Sequence, residues 1–407
     1  MPSRWTGIRL ALSRRNYRLF VTGQLVSLLG TWTQSVAQAW LVYRLTGSAV
    51  WLGIVALCQQ VPIVVLASVG GSLADRHRRR TILVGTQSAS MLLAFVLAGL
   101  ALSGAVRLEH VVVVAMLSGV VNAVDIPTRQ SFVIEMVGRD ALMTAVAINS
   151  SMSMCAGSLG PVIAGFGVRA FGEGWCFFAN GVSFAAVIAG LLAMRDLPAP
   201  TAPRTTESLG SRLAVGFRFA REHGRVRALL VLLAITAFAG LPYGTLFPVF
   251  ASDVFHGDAR ALGELTAAAG LGALVGAAVL AMRTTGAGTD RWVGVACGML
   301  GVTLVGFSLS HHLWLSIVLL VPLGAATMIQ VSATNTLIQM ATPDALRGRV
   351  MAIWAMIVMG FAPLGALLAS FLATVVAPGT PLAIGGAVCV LAAFGFLRGS
   401  HDPGSVR

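Results

Sequence analysis

Long apolar stretches, each closed by a short polar or glycine-containing break, recur along nearly the whole chain. They fall at 19–43, 50–72, 82–104, 111–136, 141–168 and 174–194, and then at 226–251, 261–282, 292–310, 312–340, 346–376 and 382–398. A helix that crosses a bilayer uses about 20 predominantly apolar residues. Twelve such helices need roughly 240 residues and leave about 165 for connections and tails, so the pattern fits the length. It predicts an all-α integral membrane protein with twelve transmembrane helices.

One polar interruption stands out, from Arg195 to about Gly224. It opens with Pro198, Pro200 and Pro203, which make a stiff, extended linker. It continues through Ser211 to Arg221, where Leu213, Phe217 and Ala220 alternate with arginines at helical spacing. Two readings fit that stretch: a short interfacial helix lying on the inner leaflet, or an unstructured basic linker. The interruption divides the chain into an N-terminal six-helix bundle at 1–195, a linker at 196–224 and a C-terminal six-helix bundle at 225–407. The halves read as copies. Ile134, Met136, Asp140, Ala141 and Leu142 recur as Ile338, Met340, Asp344, Ala345 and Leu346, all at one spacing. Gly47, Ala49, Leu52 and Gly53 recur as Gly257, Ala259, Leu262 and Gly263 at nearly the same one. Six helices per half is an even number, so both halves enter from the same side, as parallel repeats about an axis along the membrane normal.

Composition agrees. The chain is 57% hydrophobic and 11% charged, against about 25% charged in a soluble domain. Its net charge of +13 would suit nucleic acid, but the distribution argues otherwise. All 28 basic residues are arginine, and all but Arg44, Arg107, Arg169 and Arg260 fall in the tails and in every second connection. That bias is the positive-inside signature, which puts both termini in the cytoplasm and the protein in the cell membrane; no nucleic-acid partner is expected. The five cysteines (Cys58, Cys155, Cys176, Cys297, Cys389) are scattered singly, without disulfide or zinc spacing, so no metal is expected. The basic start followed by an apolar stretch imitates a signal peptide. Residues 19–43 are too long for one and no small-residue cleavage site follows, so this stretch is expected to be retained as a helix.

After the second segment comes Gly71-Ser-Leu-Ala-Asp75-Arg76-His-Arg-Arg79-Arg80. Gly71 lacks a side chain where two helices would approach closely, and Asp75 could meet a helix N-terminus and the neighbouring arginines. This sequence resembles the loop signature of the major facilitator superfamily, with Arg78 where a second glycine is common. Three stretches narrow the resemblance: Asn16-Tyr-Arg-Leu-Phe20 leading to Gly23, Gln24 and Ser27; Asn122-Ala-Val-Asp125-Ile-Pro127-Thr-Arg129-Gln130; and Gly160-Pro161-Val-Ile-Ala164-Gly165. They are similar to the branch of enterobactin-type siderophore exporters and transmembrane secretion effectors. The resemblance implies a monomeric secondary transporter with the two-bundle major facilitator fold. It also implies that Gly71, Asp75, Arg76, Arg79, Arg80, Asp125 and Arg129 form a conformational latch. Gly160, Pro161 and Gly165 resemble the helix 5 motif of proton antiporters, where glycines and proline kink the helix, with Ala164 replacing the usual glycine.

Within the first segment Gln24, Ser27, Thr31, Gln34, Ser35 and Gln38 fall inside about a 100° arc. Polar groups facing lipid are costly, so the stripe is expected to line a cavity; the alternative is hydrogen-bonding between helices, at about 0.6 kcal/mol per contact. Thr236, Tyr243 and Thr245 in the seventh segment and Gln330 and Thr334 in the tenth are candidates for a facing wall. Pro242 and Pro248 are candidates to bend the seventh. Trp32, Trp40, Met351, Trp354 and Met356 are candidates for apolar contact. An acid at membrane depth costs about 2.5–3.5 kcal/mol, so each needs a reason. Asp125 and Arg129 sit at i,i+4 and are expected to pair. Glu135 is expected beside Arg139. Asp253 and Glu264 flank the outer helix ends, either as titrating groups or with Glu264 paired to Arg260. These four acids, Asp125, Glu135, Asp253 and Glu264, are the candidate proton sites.

No nucleotide-binding, metalloprotease or nucleophile-elbow sequence appears, so ordinary enzymology has no residues to carry it, and no cofactor is expected. The expected function is proton-coupled efflux of a small organic amphiphile (siderophore, drug or secondary metabolite) by rocker-switch alternating access. The alternatives are an importer or facilitator of a small solute, and a lipid-handling membrane protein.

Overall fold

The computed structural model describes residues 13–138, 141–195, 209–282 and 289–399. Arg139, Pro198, Pro200, Pro203 and Arg283 lie outside the described residues, as do the side chains of Asp75 and Leu213. Helices α1 (Arg15–Thr46), α2 (Ala49–Arg76), α3 (Arg79–Leu102), α4 (Leu108–Val137), α5 (Leu142–Phe171) and α6 (Glu173–Leu192) come first. Then come α7 (Leu209–Glu222), α8 (Gly224–Val254), α9 (Ala259–Met282), α10 (Thr289–Ser308), α11 (Leu313–Ala341), α12 (Asp344–Val375) and α13 (Gly379–Gly399). Among the described residues there is no strand. In hydrocarbon a backbone must satisfy its own hydrogen bonds, which a helix does within one segment.

Among the described residues eleven helices are long and apolar enough to cross a membrane. The long helix outside that set is α1, whose 32 residues span about 48 Å. Its length suffices; its polar stripe keeps its hydropathy low.

The chain divides into two compact units, one comprising Met1–Thr46 and Cys58–Thr205, the other Gly47–Leu57 and Thr206–Arg407. The first turns of α2 therefore cluster with the second unit. In the first unit α1 packs on α5 and α6, and α3 packs on α4 and α6. Single glycines close its tight joints: Gly172, between α5 and α6, has φ 84°, a region open to glycine at little cost. One end holds an apolar core of Tyr17, Phe20, Leu83, Phe132, Met136 and Leu191. The Tyr17 hydroxyl donates to the Ala145 carbonyl at 3.1 Å, and Asn16 Nδ2 donates to the Arg195 carbonyl at 2.7 Å, tying the start of α1 to the end of α6.

In the second unit α9 packs on α11, α10 on α11 and α13, and α7 on α12. The two units repeat one crossing. In the first, a Cβ at Gly70 would collide with the Ala123 carbonyl, and one at Gly119 with the Gln59 carbonyl. In the second, Gly276 meets Ala325 and Gly324 meets Ala269 in the same reciprocal way. Helices that cannot use water to drive them together pack through small residues instead.

Helix α8 is the irregular one. It passes through a π turn at Thr236–Gly240, a 3-10 stretch at Leu241–Leu246 and a second π turn at Phe250–Val254. Pro242 and Pro248 both lie in this stretch and cannot donate a backbone hydrogen bond.

Candidate functional site

The polar face of α1 is not uniform. Gln24 and Ser27 are buried, Gln34 and Gln38 half-buried, and Thr31 and Ser35 exposed. Gln34 Oε1 accepts a 2.7 Å hydrogen bond from Asn180 Nδ2 on α6, and Ser183 Oγ donates to the Asn180 carbonyl at 2.7 Å. That part of the stripe joins two helices. Gln24 Oε1 is buried with no partner among the described residues, while Thr31 opens outward about two turns further along.

The helix 5 motif packs against the same helix. A Cβ at Gly160 would lie 2.5 Å from Trp32 Cβ, and Thr33 Oγ1 donates to the Gly160 carbonyl at 3.2 Å. Pro161, Ala164 and Gly165 are buried inside α5. Gly160 thus seats α1 backbone to backbone against α5, and a Cβ on Gly157 would stand 3.4 Å from the Trp32 ring.

At the α2–α3 joint the close approach belongs to Gly70, not Gly71. A Cβ on Gly71 would meet nothing within 4 Å, whereas one on Gly70 would strike α4. The two positions differ by 100° around the helix, and it is Gly70 that faces the neighbour. Asp75 and Arg76 form the last turn of α2, with Arg76 exposed. Arg79 and Glu135 form an ion pair. The expected Glu135–Arg139 pairing lies outside the described residues; the partner described for the acid is Arg79, brought beside it by α3. Arg80 Nη2 donates to the Leu192 carbonyl at 2.7 Å, binding α3 to the end of α6.

Asp125 is 3% exposed, and its partners converge from two helices. Its Oδ1 accepts from Thr86 Oγ1 at 2.7 Å and from Gln87 Nε2 at 2.9 Å, both on α3. Arg129 Nε stands 3.6 Å from Oδ2, the i,i+4 partner read from the sequence. A buried acid with two neutral donors and one cation is well solvated by protein. Thr86 and Gln87 carry no motif that singles them out; their place is legible only once α3 and α4 are packed.

In the second unit Gln330 Nε2 donates to Thr236 Oγ1 at 3.3 Å, and both residues are fully buried. Thr236 also touches Cys297 Sγ at 3.5 Å. Gln330 Oε1, Thr334 Oγ1 and Trp354 Nε1 are buried without hydrogen-bond partners among the described residues. Thr245 and Trp354 are half-buried; Tyr243 is too, its ring tilted 52° to that of Phe247 at 5.5 Å between centroids. Arg260 Nε holds Glu264 Oε1 at 2.7 Å, the plainer of the two sequence readings, and Asp253 is exposed. Among the described residues no group of three histidine, cysteine or acidic side chains could hold a metal ion.

The family described as transmembrane secretion effector matches residues 9–401. The staphyloferrin A transporter of Staphylococcus aureus is 26% identical over 94% of this chain and 96% of its own length. The enterobactin exporter EntS of Citrobacter koseri is 27% identical over 79% of this chain and 73% of its own. In fold, the nucleoside transporter NupG superposes with a TM-score of 0.73 at 13% identity, covering 95% of this chain and 99% of that one. A bacterial homologue of the iron transporter ferroportin gives 0.69 at 16% identity, covering 96% and 100%.

Proposed function

Because the chain belongs to the transmembrane secretion effector family of major facilitator membrane transporters, we propose that it exports a siderophore or a similar small organic amphiphile. The observation that carries this reading is likeness along most of the chain to two carriers whose named cargoes are both siderophores. The polar face of α1 supports it from within: Thr31 and Ser35 are exposed on the face whose Gln34 is taken up by Asn180. Such a face has no place against lipid and suits a polar solute.

The proposal includes twelve crossings, α1 among them, with both termini in the cytoplasm, as the arginine distribution requires. Export draws on proton entry, for which the membrane potential offers about 2.3 kcal/mol per charge per 100 mV. Transport proceeds by rocker-switch alternating access, the protein acting as a monomer. Asp125 serves first as part of the latch with Asp75, Arg76, Arg79, Arg80 and Arg129, and second as a proton carrier; Glu135, Asp253 and Glu264 are the other candidate carriers. Gln24, Ser27, Thr31, Gln34, Gln38, Tyr243, Gln330, Thr334 and Trp354 are the proposed substrate contacts.

The test uses inside-out vesicles holding the purified chain and a labelled catecholate or citrate-type siderophore. Uptake on imposing an inward-acid gradient, collapsed by an uncoupler, is the expected result. Uptake indifferent to the uncoupler removes the antiport component. Accumulation only in right-side-out vesicles replaces export by import.

A further inference from the structure

The amphipathic stretch forms a held helix rather than a loose linker. Helix α7 lies on α12 through its small residues: a Cβ on Gly216 would stand 2.9 Å from the Arg349 carbonyl, and Ala220 is buried. At the end of α7, Arg227 Nη1 donates to the Arg221 carbonyl at 3.3 Å, a cap that fixes the corner into α8. The first turn of α8 is anchored in turn, Arg225 gripping Asp290 at 2.7 and 3.2 Å. At 100° per residue, Gly216 and Ala220 occupy one side of α7, and Phe217, Arg221 and Arg218 occupy an adjoining arc of about 100°.

That outer arc is unusual in composition. Phe217 is 47% exposed, and Arg218 and Arg221 are exposed beside it. Among the described residues neither guanidinium has a hydrogen-bond or ion-pair partner, although other arginines nearby, Arg225 and Arg347, do. Two like charges at i,i+3 repel and destabilise an isolated helix. A paired anion reverses that sign. An aromatic ring alongside two unpaired arginines is the chemistry of the membrane interface, where the ring enters the acyl boundary and the guanidiniums stay at phosphate level.

We propose that Arg218 and Arg221 of α7 form a binding site for the phosphate of an acidic phospholipid, with Phe217 seated among its acyl chains. The lipid then holds α7 in place against the inner end of α12. The inference rests on the membrane reading but not on the cargo or its direction, so failure of the vesicle experiment above leaves it standing.

The test is native mass spectrometry of the full chain in detergent, titrated with phosphatidylglycerol or with phosphatidylcholine. The wild-type chain should retain phosphatidylglycerol in preference. The Arg218→Gln/Arg221→Gln double variant should lose that preference, with apparent affinity falling roughly ten- to thirty-fold for two arginines. Both side chains are exposed, so folding should survive; Arg218→Lys/Arg221→Lys keeps the charge and should restore most of the binding. Phe217→Ser should weaken phosphatidylglycerol without changing its preference over phosphatidylcholine. Equal phosphatidylglycerol retention by the wild type and the glutamine variant overturns the proposal. So does displacement of the lipid by millimolar inorganic phosphate, which would make the site one for a soluble anion.

Discussion

At Gly119 there is no room for even a methyl group, because the Gln59 carbonyl of α2 occupies the place a Cβ would take; Gly70 faces Ala123 of α4 in the same way. Overpacking of this kind costs about 1–3 kcal/mol. Gly119→Ala and Gly70→Ala should therefore lower the melting temperature in detergent by several degrees, while Gly71→Ala should leave it unchanged, since nothing lies within 4 Å of that position. Equal melting of all three variants would remove the close α2–α4 crossing. Asp125 gives a second residue-level contrast. Asp125→Asn keeps an acceptor for Thr86 and Gln87, whereas Asp125→Leu strands the buried Gln87 Nε2, at about 1–3 kcal/mol. The leucine variant should melt clearly below the asparagine variant, and identical curves would contradict the hydrogen bonding described. Such pairings lie beyond sequence arithmetic. Glu135 has an arginine four residues on at position 139, outside the described residues, and local spacing gives no hint of Arg79, which another helix brings to it. Adjacent glycines at 70 and 71 read alike in one dimension, and only the rotation of α2 decides which one touches α4.

Among the elements, α1 and α8 depart most from a plain apolar helix, and the sequence displays the two departures unequally. The recurrence of Gln24, Thr31 and Gln38 every seven residues reveals a polar face on α1 directly, because helical periodicity is a local property. It does not reveal that Asn180 takes up Gln34 and leaves Thr31 uncovered, since Asn180 belongs to another helix. In α8 the two prolines announce irregularity without its form; the π and 3-10 turns follow from how the helix rejoins its neighbours. Their hydrogen bonds are poorer than those of an α-helix. Amide exchange across 236–254 should accordingly run faster than across α11, as read by hydrogen-exchange mass spectrometry in detergent. Protection of α8 equal to that of α11 would show that these turns store no local weakness. The pattern around α7 illustrates a case where both sequence readings were open, and burial of Gly216 and Ala220 against α12 selects the helix.

For the whole molecule, the twofold repetition has a physical expression inside each unit: the Gly70/Gly119 crossing of one is rebuilt by Gly276/Gly324 in the other. Hydrophobic periodicity was enough to read an all-helical membrane protein, and the Gly71–Arg80 sequence its superfamily. The substrate leaves no such trace, because a handful of polar side chains among apolar helices fits many solutes. The central claim is that the α1 face meets water from both sides of the membrane in turn, and Thr31 tests it most directly. In a chain whose five native cysteines are replaced, Thr31→Cys is exposed to a membrane-impermeant maleimide in right-side-out and in inverted vesicles. The account predicts labelling from both faces, with the balance shifting when a siderophore is added, and no labelling of Ala37→Cys, which is buried in the packing of the same helix. Labelling of Thr31→Cys from one face alone, indifferent to added siderophore, would contradict it.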